Sequence, residues 1–201
     1  MIPLTSEQDK TQLKEHALEL IKRHSFEGIR IIAEVLKEQD IEIENADFFL
    51  RKSCEKGQIE VVKYLLEYLK KRGENIRSNL NHCLNYSSQA GHLEIVKYVI
   101  EQGADVQNDY HFPLRWAASH GHLETVKYLV ESGSDIHALN NCALRWSTED
   151  GHLDIVKYLV ESGANTVALY VNEDEENYIE EARKKGHTAV VEYLEGIVKN
   201  D

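Results

Sequence analysis

The chain has 201 residues, 42% of them hydrophobic, which is enough apolar material for one folded body without a linker. Its formal net charge is −12 and unevenly spread: residues 1–78 carry 14 basic against 15 acidic side chains, residues 79–201 carry 9 against 20. An acidic later part repels phosphate backbones, whose affinity rests on neutralisation by Lys and Arg, so no nucleic-acid partner is expected.

No stretch approaches the roughly 18 apolar residues of a spanning helix, and no basic segment leads into an apolar run at the N-terminus. A soluble, cytoplasmic setting without membrane contact is expected. The three cysteines, Cys54, Cys83 and Cys142, are an odd number without a C-x-x-C pair. Neither a disulfide framework nor a zinc ribbon is indicated, and small buried apolar roles are expected for all three.

In chain order, Ser6 and Asp9 form a capping-box pattern ahead of Leu13, Ala17, Leu20 and Ile21 at helical spacing. Next, "SFEGIRIIAEVLKEQ" places Phe26 thirty-three residues before Ile59 and reads as a second helix. From there the chain repeats itself. "ASHGHLETVKYLVESGSDI" (118–136) returns thirty residues later as "TEDGHLDIVKYLVESGANT" (148–166). A fixed period of this size marks a stacked repeat protein.

Gly57, Gly91, Gly121, Gly151 and Gly186 open successive stripes at separations of 34, 30, 30 and 35 residues, and Gly73, Gly103, Gly133 and Gly163 close them. Within a stripe, Leu123, Val126, Leu129 and Val130 share one helix face while Glu124, Lys127 and Glu131 share another. The spacing therefore predicts a surface helix with one buried side. Before Gly121, "PLRWAASH" predicts a shorter first helix, with Pro113 at its start and Ala117 and Ala118 allowing close packing. The four residues added between Gly57 and Gly91 fall in "YLEYLKKRG" and add about one helical turn. The five added before Gly186 fall around "YVNEDEEN", read as a longer loop.

A helix pair of this kind cannot cover its own apolar stripe, so it must stack on its neighbours, with more polar units at the ends. The expectation is one all-α solenoid domain over 1–201. Its six helix-turn-helix units span about 5–44 (a degenerate N-terminal cap), 45–78, 79–108, 109–138, 139–173 and 174–201 (a C-terminal cap).

The units resemble the ankyrin repeat family. "GHLEIVKYVIEQGAD" (91–105) and "GHLDIVKYLVESGAN" (151–165) match that family's core, whereas its T-P-L-H start appears as "FPLR" (112–115) and "CALR" (142–145). The resemblance covers about residues 25–198. It implies a stack whose first helices and finger loops make a concave face, used above all for binding proteins. The eleven steps from Gly133 to Leu144, against about fourteen in the family, predict shortened β-hairpin fingers. The short units and their wording are also similar to ankyrin arrays of large DNA viruses of amoebae, in which case the setting would be a host cytoplasm.

Four Gly-His pairs place His92, His122, His152 and His187 at equivalent positions. Equivalent atoms in stacked helices lie roughly 8–10 Å apart, too far to converge on one zinc ion, so a structural role is expected and no metal or cofactor. No phosphate loop, nucleophile elbow or H-E-x-x-H motif occurs in the sequence, and no enzyme activity is expected.

Positions that vary within a constant frame point to binding. One first-helix slot holds Tyr86, Trp116 and Trp146; three and four residues on stand Gln89, Ser119 and His120, Glu149 and Asp150. These share a helix face, which the resemblance turns into the groove. They are the candidate protein-binding residues, and two readings stay open: an aromatic hot spot, or packing between units. Arg115 and Arg145 stand in the family's histidine slot, where the side chain ties adjacent loops. The leading expectation is a monomeric, non-catalytic module that binds a protein or peptide, basic in view of the acidic later units. The alternative is a substrate-recruiting adaptor in a larger complex such as a ubiquitin-transfer machine.

Overall fold

The two glycine series cut the chain where the helices begin and end. The structure, a computed structural model, describes residues 46–169 and 177–198. Five helix pairs occupy them: α1 (Ala46–Glu55) and α2 (Ile59–Lys71), α3 (Arg77–Ala90) and α4 (Leu93–Glu101), α5 (Asn108–Ser119) and α6 (Leu123–Glu131), α7 (Ala138–Glu149) and α8 (Leu153–Glu161), and α9 (Tyr178–Lys184) and α10 (Thr188–Val198). A 3-10 turn, Thr166–Leu169, follows α8, and no strand occurs among the described residues. The N-terminal unit with Ser6, Asp9 and Phe26 lies outside the described residues, as does most of the "YVNEDEEN" loop.

The stripes become rows of core side chains. Leu84, Leu114 and Leu144 form one buried row on the first helices, and Val62, Val96, Val126 and Val156 another on the second. Val99, Leu129 and Leu159 form a third. Each fully buried side chain of this size contributes about 1.5–3 kcal/mol, and each unit supplies part of its neighbour's cover. Ser87, Ser88, Ala117, Ala118, Ser147 and Thr148 are buried on the first helices, where small side chains let neighbouring backbones approach closely. First helix packs on first helix from α1 to α9, while the second helices touch their neighbours more lightly. A stack that is tighter along one side curves toward it. The longer second unit keeps its phase as expected, because α2 has 13 residues where α4 has 9, an added turn.

The short connections have their own geometry. Inside α5, Asp109, Tyr110 and His111 have φ of 49, 54 and 61°; inside α7, Leu139, Asn140 and Asn141 have φ of 49, 56 and 56°. Each trio is a left-handed turn, and the right-handed helix begins after it, with Pro113 in its first turn. Here the shortened finger has become a single turn. Asn, Asp and His tolerate this backbone, but Tyr110 and Leu139 bear a cost of about 1–2 kcal/mol each.

Side chains hold these turns in place. Arg115 Nη2 donates to the Asp109 carbonyl and Arg145 Nη2 to the Leu139 carbonyl, both at 3.1 Å. The turns are also bonded to the next unit. The Asp135 N–H donates to His111 Nδ1 at 3.3 Å, and the Asn165 N–H to Asn141 Oδ1 at 2.9 Å. Asn81 accepts from the Asp105 N–H in the same way at 2.9 Å. Asn81, His111 and Asn141 stand thirty residues apart, a periodic lock between connections.

Candidate functional site

The first helices carry the candidate binding residues on one side, and six of these fall into two linked groups: Trp116, Trp146 and His120, and Ser119, Glu149 and Asp150. Trp116 and Trp146, one unit apart, meet edge to face with ring centroids 5.9 Å apart at 76°. Both are half-buried, so the pair bridges two units and still presents ring surface to solvent. Phe112 and His120 flank Trp116 along its own helix at 5.3 and 5.1 Å, and His120 Nδ1 lies 3.0 Å from the Trp116 carbonyl. Tyr86 sits in a separate pair, its ring under the Arg51 guanidinium at 4.7 Å. The aromatic row is thus a tryptophan pair with the tyrosine apart from it. Gln89 lies half-buried on the Tyr86 helix, and its backbone carbonyl receives a histidine described below.

A rule connects the guanidinium groups. Arg51, Arg115 and Arg145 each stand six residues before the glycine opening their stripe, and each reaches an aromatic ring of the following unit. Arg115 lies 5.4 Å from the Trp146 centroid and Arg145 4.9 Å from that of Tyr178, whose hydroxyl accepts from Arg145 Nη1 at 2.7 Å. Such stacking is worth about 0.5–1 kcal/mol at exposed sites and more when desolvated. Arg115 and Arg145 therefore tie their own connection to a ring on the next unit's first helix, where a hydrogen-bonded tie between adjacent loops was expected. Arg51 escaped the sequence reading, although its offset from Gly57 was the available signal.

The acidic members of the site are engaged. Asp150 Oδ2 accepts from Ser119 Oγ at 2.7 Å, and Lys185 Nζ donates to Glu149 at 2.8 Å and lies 3.7 Å from Asp150. The Glu149 hydrogen bond raises the Lys185 pKa above its ordinary value. This small network fixes the polar side chains beside Trp146.

The Gly-His pairs supply rigidity under the row. His92, His122 and His152 place Nε2 at 3.1, 3.0 and 2.7 Å from the carbonyls of Glu55, Gln89 and Ser119 in the preceding unit. Each ring lies where a Cβ on the preceding glycine would fall: one added to Gly121, at φ 80°, would stand 2.8 Å from His152 Cε1. Glycine is needed twice there, for the left-handed backbone and for the ring. Burial lowers the His122 pKa, opposed by the Gln89 hydrogen bond and reinforced by repulsion from His120, His92 and His152.

The thiols are shut away. Burial pushes the Cys54 thiol well above its usual pKa, with Cys83 beside it, and raises Cys142 against the pull of Arg145 and Arg115. On the outer face, Lys63, Lys97 and Lys157 lie 5.7, 5.4 and 5.6 Å from the rings of Tyr98, Tyr128 and Tyr193 in the next unit. Among the described residues no helix is long and apolar enough to cross a membrane.

A family model described as ankyrin repeats (3 copies) matches residues 21–110, 52–140 and 114–200. No curated protein matches the sequence.

Proposed function

We propose, from the premise that the chain belongs to the ankyrin repeat family, that it is a non-catalytic module whose first-helix row grips a partner protein or peptide. Members of this family are generally protein-interaction modules and typically lack catalysis. The observation that carries the reading is the Trp116–Trp146 pair, fixed edge to face and only half-buried. Aromatic side chains already held in place offer contact area with little rotamer entropy left to lose on binding. Packing and recognition are therefore not rival uses of these rings, since packing fixes the surface that recognition employs.

Ser119, His120, Glu149 and Asp150 would frame the pair with polar groups, and Tyr86 and Gln89 would extend it by one unit. The net −11 of residues 79–201 (9 basic less 20 acidic) favours a basic partner, disfavours nucleic acid, and opposes self-association, in keeping with a monomer. A substrate-recruiting adaptor would use the same groove and need a second contact to its larger complex. Capture of partners by wild type and by a Trp116→Ala/Trp146→Ala variant tests the reading. A partner retained by wild type and lost by the variant is expected; equal capture by both would refute it.

A further inference from the structure

The stacking of guanidinium groups on rings is interrupted in one unit, and the interruption lies beside the tryptophan pair. Six residues before the glycine that opens each stripe stand Arg51, Asn85, Arg115 and Arg145 in four consecutive units. Arg51 covers Tyr86, Arg115 covers Trp146 and Arg145 covers Tyr178, each ring belonging to the next unit. By the same register Asn85, on α3, stands before Trp116. Its side chain is too short to lie over an indole as a guanidinium does. Among the described residues no cation lies over Trp116, whose ring neighbours Phe112, His120 and Trp146 all come from its own unit or the next. The Asn85 Oδ1 atom is buried without a hydrogen-bond partner. An unpaired buried acceptor is costly to the fold, and a donor brought to it removes that cost. Asn85 as a whole is half-buried, so turning its amide about one soft torsion presents the oxygen to a donor arriving from solvent. Arg51 is exposed and Arg115 and Arg145 are half-buried, which shows that the position these side chains share opens outward.

We propose that Asn85 and Trp116 form a subsite for an arginine side chain of the partner, which rests on the first-helix row being the binding surface. The incoming guanidinium stacks on Trp116, where the neighbouring units use an arginine of their own, and donates to Asn85 Oδ1. Arginine is selected over lysine by shape. Its flat fork covers a ring and donates in its own plane at the same time, whereas a lysine ammonium is a compact, strongly hydrated point charge. Charge complementarity favours the same occupant, since Glu149 and Asp150 stand on the row one unit beyond Trp116 and residues 79–201 carry the net −11. On the other side, the α1 cations Arg51 and Lys52 are both bonded to Glu55.

The test is selection of a phage-displayed random peptide library on the immobilised full chain. The most enriched peptide is then synthesised, with a second version carrying lysine for arginine, and both affinities are measured by fluorescence anisotropy for wild type, Asn85→Arg and Trp116→Ala/Trp146→Ala. The enriched peptides should share an arginine, and its replacement by lysine should weaken binding to wild type at least ~5-fold. Asn85→Arg supplies the guanidinium from the chain itself. It should weaken the arginine peptide at least ~10-fold, abolish the preference for arginine over lysine, and melt at or above wild type, because the new side chain covers Trp116 as Arg115 covers Trp146. Failure to enrich any peptide, enriched peptides without a shared arginine, an arginine preference that survives in Asn85→Arg, or a lowered melting temperature of that variant would each overturn the inference. If wild type binds both peptides alike while the tryptophan variant binds neither, the first-helix row stands and the arginine subsite fails. Binding that the tryptophan variant leaves untouched overturns both.

Discussion

Replacing Gly121 by alanine probes the lock between units. The residue sits at φ 80°, and its new Cβ would stand 2.8 Å from His152 Cε1 and 2.9 Å from Nδ1. The left-handed backbone alone costs about 1–2 kcal/mol for any residue with a Cβ. The ring must also move, which breaks the 2.7 Å contact between His152 Nε2 and the Ser119 carbonyl, worth about 0.5–1.5 kcal/mol. The total loss is about 1.5–3.5 kcal/mol. Gly73 is the matched control, since its φ is 77° and nothing lies within 4 Å of its added Cβ. Gly73→Ala should cost the backbone part only. In a His152→Ala background Gly121→Ala should fall to the same level, a coupling of about 0.5–1.5 kcal/mol. Urea denaturation with equal slopes measures all four variants. Equal costs at the two glycines, with no coupling to His152, would refute the lock.

Leu129→Ala should cost about 2–5 kcal/mol because the side chain is fully buried, whereas Lys127→Ala on the outer face should change stability by less than about 0.5 kcal/mol; thermal melts compare them. Ser88→Ala should be neutral or stabilising by up to about 1 kcal/mol, because its buried hydroxyl has no hydrogen-bond partner and Ala118 fills the same slot one unit later; a loss above about 1 kcal/mol would contradict this. The lowered His122 pKa sets a pH dependence. The unfolded chain binds the proton more readily than the folded one, so the contribution is fully present above the ordinary value of 6.5 and is lost as pH falls through the folded value. Denaturation midpoints should decline between pH 7 and pH 5, less so in His122→Gln; an equal decline would remove His122 as the cause.

Repeated apolar positions made the helices legible, because Leu129 and Val126 sit at a spacing that only a one-sided helix satisfies. The extra turn of α2 was legible for the same reason. The left-handed turns were not. Tyr110 and Leu139 have no preference for that backbone, and what imposes it is tertiary: bonds from Arg115 and Arg145 and the link from each connection to the next. The structural role of the Gly-His pairs followed from spacing, but the carbonyl each histidine reaches is a contact across units, 33 residues back for His122 and His152. On the first helices, Trp116 and Trp146 could be placed on one side from sequence. Their mutual packing, and the engagement of Glu149 and Asp150 by Lys185, depend on rotamers that periodicity does not specify.

The central claim is that the first-helix row holds the partner. Once a partner is in hand, surface-immobilised kinetics at two ionic strengths test it most directly. Trp146→Ala should raise the dissociation rate by ~10-fold or more, as loss of a buried aromatic anchor does. Neutralising Glu149 and Asp150 should mainly lower the association rate and its salt dependence. If both variants bind as wild type while charge reversal at Lys127 or Glu131 on the outer face abolishes binding, the partner lies on the other side of the stack and the claim is wrong.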